Sequence, residues 1–326
     1  MNIPRRLFLK HAGAAAALTT VHRAWADNYP SRPIKLLVSS APGGVHDVIG
    51  RLWADRLHDA LGTIVVENQG TAGGAILRAI RSPPDGYTLF LGSSGTHVLE
   101  PLIRAHIDYD PLNSFEAVSI FSKATTSVAV SSASPFHSLK ELIGFARANP
   151  GKLSYAYAGV GAISNVAGEM FKGLAGGLVI EPVAYRGMGP AQFDVMSNQV
   201  PLFFPNVTGQ VVGLHESGSI RILSVNSQTR LEMLPSIPTS IEEGVNDMIA
   251  ETFFGIFAPK GLAIDVAQKI NKATDDAFRD AVYREKLRKD GFQVLSGIAA
   301  DSTKAFIIEE TRRWAPIIKA AGITAD

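Results

Sequence analysis

Ile34-Lys35-Leu36-Leu37-Val38 is followed by Ser39-Ser40-Ala41-Pro42-Gly43-Gly44, and then by Val45, Val48, Ile49, Leu52, Trp53, Leu57 and Leu61. A β-prone run, a glycine break and a helical period stand in direct succession. Three- and four-residue steps place the seven apolar side chains on one face of a helix of about four turns. Gly62 closes that helix, and Ile64-Val65-Val66-Glu67-Asn68 predicts the next strand.

The cycle recurs along the chain. Ala75 to Ile80 predicts a helix, Pro83-Pro84-Asp85-Gly86 a turn, and Tyr87 to Leu91 a strand. Leu139 to Ala148 predicts a helix ended by Asn149-Pro150-Gly151, with a strand at Ser154 to Ala158. A helix follows at Ser164 to Leu174, then strands at Val179 to Tyr185 and Arg221 to Val225. Such alternation predicts an α/β protein with a mainly parallel sheet. The runs Val118–Val130 and Glu251–Pro259 break the rhythm and predict two extended crossings between lobes. The lobes expected are 27–125 plus 247–326, and 126–246. After Pro259 the pattern predicts continuous helix.

Residues 1–26 predict an export signal. Arg5-Arg6 precedes Leu7-Phe8-Leu9-Lys10, a short Ala-rich run follows, and Ala24-Trp25-Ala26 offers a cleavage site after Ala26. The arginine pair favours the twin-arginine route, with an ordinary secretory signal as the alternative. Removing this segment takes away Arg5, Arg6, Lys10 and Arg23 but no acid. It leaves 27 basic and 30 acidic side chains, a net charge of −3 where the whole chain has +1. That surface predicts neither nucleic-acid binding nor membrane insertion. With no cysteine, disulfides, thiolate metal sites and a cysteine nucleophile are excluded.

Four glycine-containing loops each join a predicted strand to a predicted helix: 41–47, 92–97, 159–165 and 185–190. Helix N-termini carry free N–H groups and partial positive charge, so loops at these junctions suit an anionic ligand. Taken singly, each reads first as a plain tight turn; four of them at strand–helix junctions point to a ligand cleft. Gly159-x-Gly161 lacks the third glycine of a dinucleotide fingerprint, and Gly92-Ser93-Ser94-Gly95 lacks the spacing of a nucleophile elbow. The histidines show no metal-ligand spacing, and no metal or cofactor is expected.

Further motifs carry a family resemblance. Tyr29-Pro30-Ser31-Arg32-Pro33-Ile34 and Ala41-Pro42-Gly43-Gly44-x-x-Asp47 are joined by Pro84-Asp85-Gly86-Tyr87-Thr88-Leu89, Pro182-Val183-Ala184-Tyr185-Arg186-Gly187 and Phe254-Gly255-Ile256-Phe257-Ala258-Pro259. In that order the chain resembles the Bug/TctC-type periplasmic receptors of tripartite tricarboxylate transporters. The resemblance implies a type II periplasmic-binding fold, two lobes joined by two crossing strands, and a monomer that delivers a small carboxylate to a membrane permease. Carried over by position, Gly43, Gly44, Asp47, Ser93, Ser94 and Thr96 would line the first lobe. Ser164, Asn165, Tyr185, Arg186 and Gly187 would face them, with Asn206 nearby.

The chain departs from the family pattern at Val45-His46, Ala162-Ile163 and Pro205, where small hydroxyl residues or an acid are common. Apolar bulk there implies a smaller or partly apolar carboxylate, aromatic or short-chain. The alternatives to uptake are a hydrolase or isomerase using His97 or Asp47 in the cleft, and a ligand sensor feeding a signalling kinase.

Overall fold

The computed structural model describes residues 29–69 and 72–325; the predicted export signal lies outside them. The chain opens with β1 (Ile34–Val38), α1 (Val45–Arg56), α2 (His58–Leu61), β2 (Ile64–Asn68), α3 (Ala72–Ile80) and β3 (Thr88–Ser93). A π-helical turn (Gly95–Leu99) leads into α4 (Glu100–Ile103) and the long strand β4 (Phe115–Thr125). The middle of the chain holds β5 (Ser127–Ser131), α5 (Leu139–Ala148), β6 (Leu153–Tyr157), α6 (Ile163–Leu174) and β7 (Ile180–Ala184). It continues with α7 (Met188–Met196), β8 (Leu202–Phe203), α8 (Gly209–Glu216) and β9 (Ile220–Val225). The chain closes with β10 (Glu251–Pro259), α9 (Ile264–Arg279), α10 (Ala281–Lys289), β11 (Phe292–Ala299) and α11 (Ala300–Ala321).

The strands form two sheets, ordered β11-β4-β10-β3-β1-β2 and β7-β6-β8-β5-β9. Neither is mainly parallel, against the sequence reading. In the first, β1 pairs parallel with β2 and β3, while β10 pairs antiparallel with β3 and β4, and β11 with β4. In the second, β6 is parallel to β7 and β8, and β5 is antiparallel to β8 and β9. Antiparallel pairs need no crossover helix, so a chain passing between sheets can pair with its own return.

The second correction is β11. The segment after Pro259 is not continuously helical, because Gly291 takes φ +86° and turns the chain out of α10. Phe292 then pairs with Ala124 of β4 and is buried. Beyond it α11 packs against β4 and against α6, a helix of the other lobe. One apolar cluster therefore runs through both lobes, with Phe90 and Ile103 on one side, Tyr155 and Phe171 on the other, and Trp314 of α11 among them.

The lobes meet where the chain crosses. Thr126 N–H donates to Ala250 O, Asn226 N–H to Thr126 O, and Ala250 N–H to Asn226 O, at 2.9–3.0 Å.

Candidate functional site

Strand direction decides which loops share an edge. β1 and β3 are parallel neighbours, so their C-terminal ends deliver loops 41–47 and 92–97 to one edge of the first sheet. β6 and β7 do the same for loops 159–165 and 185–190, and Tyr185 N–H is bonded to Tyr157 O at 2.9 Å. Both edges lie beside the crossing. Phe254 of β10 is paired opposite Ser93, Phe253 N–H donates to Ser94 Oγ at 2.9 Å, and Asn206 bridges Thr126.

The first loop of each lobe is built to one plan. Gly43 has φ +80° and Gly161 φ +79°, a region where a side chain is disfavoured. Gly43 N–H donates to Asp47 Oδ2 at 2.9 Å and Gly161 N–H to Asn165 Oδ1 at 3.3 Å, each bond spanning four residues. Gly44 and Ala162 are then extended N-caps that offer no side-chain cap. Gly187, heading α7, offers none either. By contrast Ser138, Thr208 and Asp280 cap α5, α8 and α10. An N-terminus left without a side-chain acceptor keeps its N–H groups for water or an anion. α9 also lacks a side-chain cap, although Asp265 lies in its first turn.

Most of the side chains expected to line the site shape it instead. Asp47 is buried; its carboxylate accepts from Gly43 N–H, Asn68 Nδ2 at 2.9 Å and Arg51 Nη2 at 2.9 Å. Burial alone would raise its pKa, but these partners outweigh that effect and hold it below the usual carboxylate value. Asn165 is fixed at its other end by Tyr155, whose hydroxyl also bonds Glu169 at 2.6 Å. Ser164 Oγ accepts from Ala158 N–H at 3.1 Å. Thr96 Oγ1 accepts from Ser93 N–H at 3.0 Å and bonds His97 Nδ1 at the same distance. Tyr185 donates to Asp194 at 2.6 Å. Arg186 is exposed and makes no ion pair among the described residues. Asn206 Oδ1 is buried with no hydrogen-bond partner among the described residues.

Two histidines land differently from the sequence reading. His97 bonds the Thr96 hydroxyl through Nδ1 at 3.0 Å. Its ring stacks on Phe257 at 3.9 Å between centroids and lies beside Phe115 and Phe90, deep in the first lobe. His46, read from sequence only as a departure from the family pattern, is a further candidate for the site. It is half-buried, bonds Ser93 Oγ through Nε2 at 2.9 Å, and sets its ring edge-on to Phe254 at 5.2 Å. Its place in the first helical turn after a Gly-Gly break was the available signal.

Residues 49–323 match the model of the tripartite tricarboxylate transporter family receptor, TctC. The chain belongs to that receptor family. It is 31% identical to Protein BugT of Bordetella pertussis over 331 residues, 99% of each chain. It is similar to an R. palustris protein solved with adipate, at 28% identity and TM-score 0.86, covering 91% of this chain and 99% of that one. MatC from Rhodopseudomonas palustris, solved with bound malate, is 25% identical with TM-score 0.81, covering 89% and 100%. The TctC likeness and these neighbours agree with a two-lobed fold joined by two crossing strands. Among the described residues, this TctC receptor has no group of three metal-ligating side chains and no helix long and apolar enough to cross a membrane.

Proposed function

We propose that this receptor is exported through its twin-arginine signal, cleaved after Ala26, and captures a small carboxylate between lobes 27–125 plus 247–326 and 126–246. The observation that supports the reading is that three helix N-termini without side-chain caps, α1 in one lobe and α6 and α7 in the other, follow strand ends at the sheet edges beside the crossing. Their N–H groups hold a carboxylate without needing a salt bridge. The site residues are Gly43, Gly44, Asp47, Ser93, Ser94, Thr96, Ser164, Asn165, Tyr185, Arg186, Gly187 and Asn206, with His46 added. The relatives solved with adipate and malate support the ligand class.

Capture works by lobe closure. A ligand touching both lobes favours the closed state by its extra contacts there, and the closed receptor docks on a permease of the tripartite tricarboxylate type. The role in this reading is binding without turnover, which the match to a transporter receptor family supports. A thermal-shift screen of mono-, di- and tricarboxylates on the mature protein tests the reading. A ligand at 100 times its Kd stabilises the fold by about 2.7 kcal/mol. If no carboxylate raises the melting temperature, the reading falls.

A further inference from the structure

The two matched loops close on partners of opposite polarity. In the first lobe Asp47 meets Gly43 N–H at one oxygen, and Asn68 Nδ2 and Arg51 Nη2 at the other. Every partner donates, so residue 47 must accept at both ends. In the second lobe the requirement changes half-way along. Gly161 N–H can only donate, which turns Asn165 Oδ1 towards it at 3.3 Å and leaves Nδ2 to face the Tyr155 hydroxyl at 3.2 Å. The Tyr155 oxygen therefore accepts, and its own proton goes on to Glu169 Oε1 at 2.6 Å. Burial and the neighbouring Glu169 push the Tyr155 pKa far above its ordinary value, so the proton stays on the hydroxyl.

Glu169 anchors this relay of hydrogen bonds at the surface, and its charge sets the direction of every bond in it. Lys172 holds both carboxylate oxygens, at 2.9 and 2.8 Å, and these two side chains are partly exposed. Tyr155 and Asn165 are buried. Gly168, one residue before Glu169 on α6, leaves the space that the Tyr155 ring fills; a Cβ there would come within 2.4 Å of the ring. We propose that Glu169 is a positioning residue for the second-lobe loop 159–165. By taking the Tyr155 proton it obliges residue 165 to be a neutral donor, so the loop is braced without a carboxylate. A buried acid at 165 would face a hydroxyl with no proton to give, and would set a negative charge in the loop where an anionic ligand arrives.

The inference rests on the carboxylate reading and deepens it. Its test is a stability cycle on the mature receptor, joined to calorimetry with adipate and malate as probes. Asn165→Asp is expected to lower the melting temperature by about 4 °C or more, since two carboxylates then compete for one hydroxyl proton. Glu169→Gln keeps an acceptor for Tyr155 and is expected to shift it by about 2 °C or less. In the double variant the amide at 169 can donate to Tyr155, which then gives its proton to the acid at 165. The relay runs backwards, and most of the lost melting temperature is expected to return. Affinity for whichever probe the wild type binds is nevertheless expected to stay about 10-fold or more below wild type, because the charge remains. Recovered stability without recovered affinity is a split that a purely structural role would not give. If Asn165→Asp fails to fold by itself, folding of the double variant supports the relay and its failure overturns it. Additive stability effects overturn the inference, and so does a double variant with wild-type affinity. Binding of neither probe by the wild type overturns it too; the wider thermal-shift screen then decides whether the carboxylate reading survives.

Discussion

Thr126 Oγ1 accepts a hydrogen bond from Asn226 Nδ2 at 2.9 Å across the lobe crossing, and donates its own proton to Ala250 O at 2.8 Å. Ser240 Oγ donates to Asn226 Oδ1 at 2.7 Å, which leaves Ser224 to donate to Ser240 at 2.8 Å. All four side chains are buried, so each depends on the next for its partner. Thr126→Val keeps the shape but strands the Asn226 amide, and is expected to cost about 1–3 kcal/mol. Urea denaturation measures it. A cycle with Asn226→Ala that proves additive would separate the two residues energetically.

Asp47 and Asn165 perform one task with different charge, which sets up a rescue experiment. Asp47→Ala frees the Gly43 N–H and removes the partner of Asn68 and Arg51; ligand affinity is expected to fall about 10-fold as the α1 loop loses its brace. Asp47→Asn, copying the second lobe, should retain the fold of that loop. Equal loss of affinity in both variants, for a carboxylate that the thermal-shift screen identifies, would show that the charge matters, not the brace.

Two imidazoles make the fold acid-sensitive. Burial holds His97 at a pKa of about 3 and His46 at about 4, against 6.5 for a free side chain. Below pH 6.5 the unfolded chain therefore takes up protons that the folded chain refuses. Their contribution is complete above that pH and is lost progressively as pH falls towards 4, by up to about 1.4 kcal/mol per pH unit for each group. Melting temperatures between pH 7 and 4.5 should fall for the wild type and fall less for His97→Phe, which suits the aromatic stack. An identical slope in that variant would clear His97 of the effect.

Gly161 lies under Ile103 of the opposite lobe. A Cβ added there would come within 2.1 Å of Ile103 Cδ1, in a backbone conformation that already disfavours a side chain. Gly161→Ala is expected to cost about 1–3 kcal/mol by overpacking. Adding Ile103→Ala should recover part of this, so the double variant is less destabilised than the summed singles. Thermal unfolding of the four proteins reads the outcome.

Helices bounded by strong punctuation were legible in the sequence. Leu139–Ala148 is expected and found over the same residues, because Ser138 caps it and Asn149-Pro150-Gly151 ends it. The strand–helix loops were legible for the same reason. β8 and β11 were not: one is two residues long, and the other is an edge strand between long helices whose partner lies some 170 residues earlier. The likeness of Gly43–Asp47 to Gly161–Asn165 was also hidden. What those loops share is a positive φ and an acceptor four residues on, and their intervening residues differ. The tasks of Asp47 and His97 depend on neighbours distant in sequence, which no spacing reveals.

The strand order has a consequence for biosynthesis. β10 lies between β3 and β4, and β11 covers the far side of β4. A nascent chain that has emerged only as far as residue 250 carries β3 and β4 with open edges, and its first lobe cannot close. The last quarter of the polypeptide must leave the ribosome before that sheet exists. Until then the emerging chain offers edges on which strands of other chains can pair, so its safe passage depends on how promptly translation ends or a chaperone arrives.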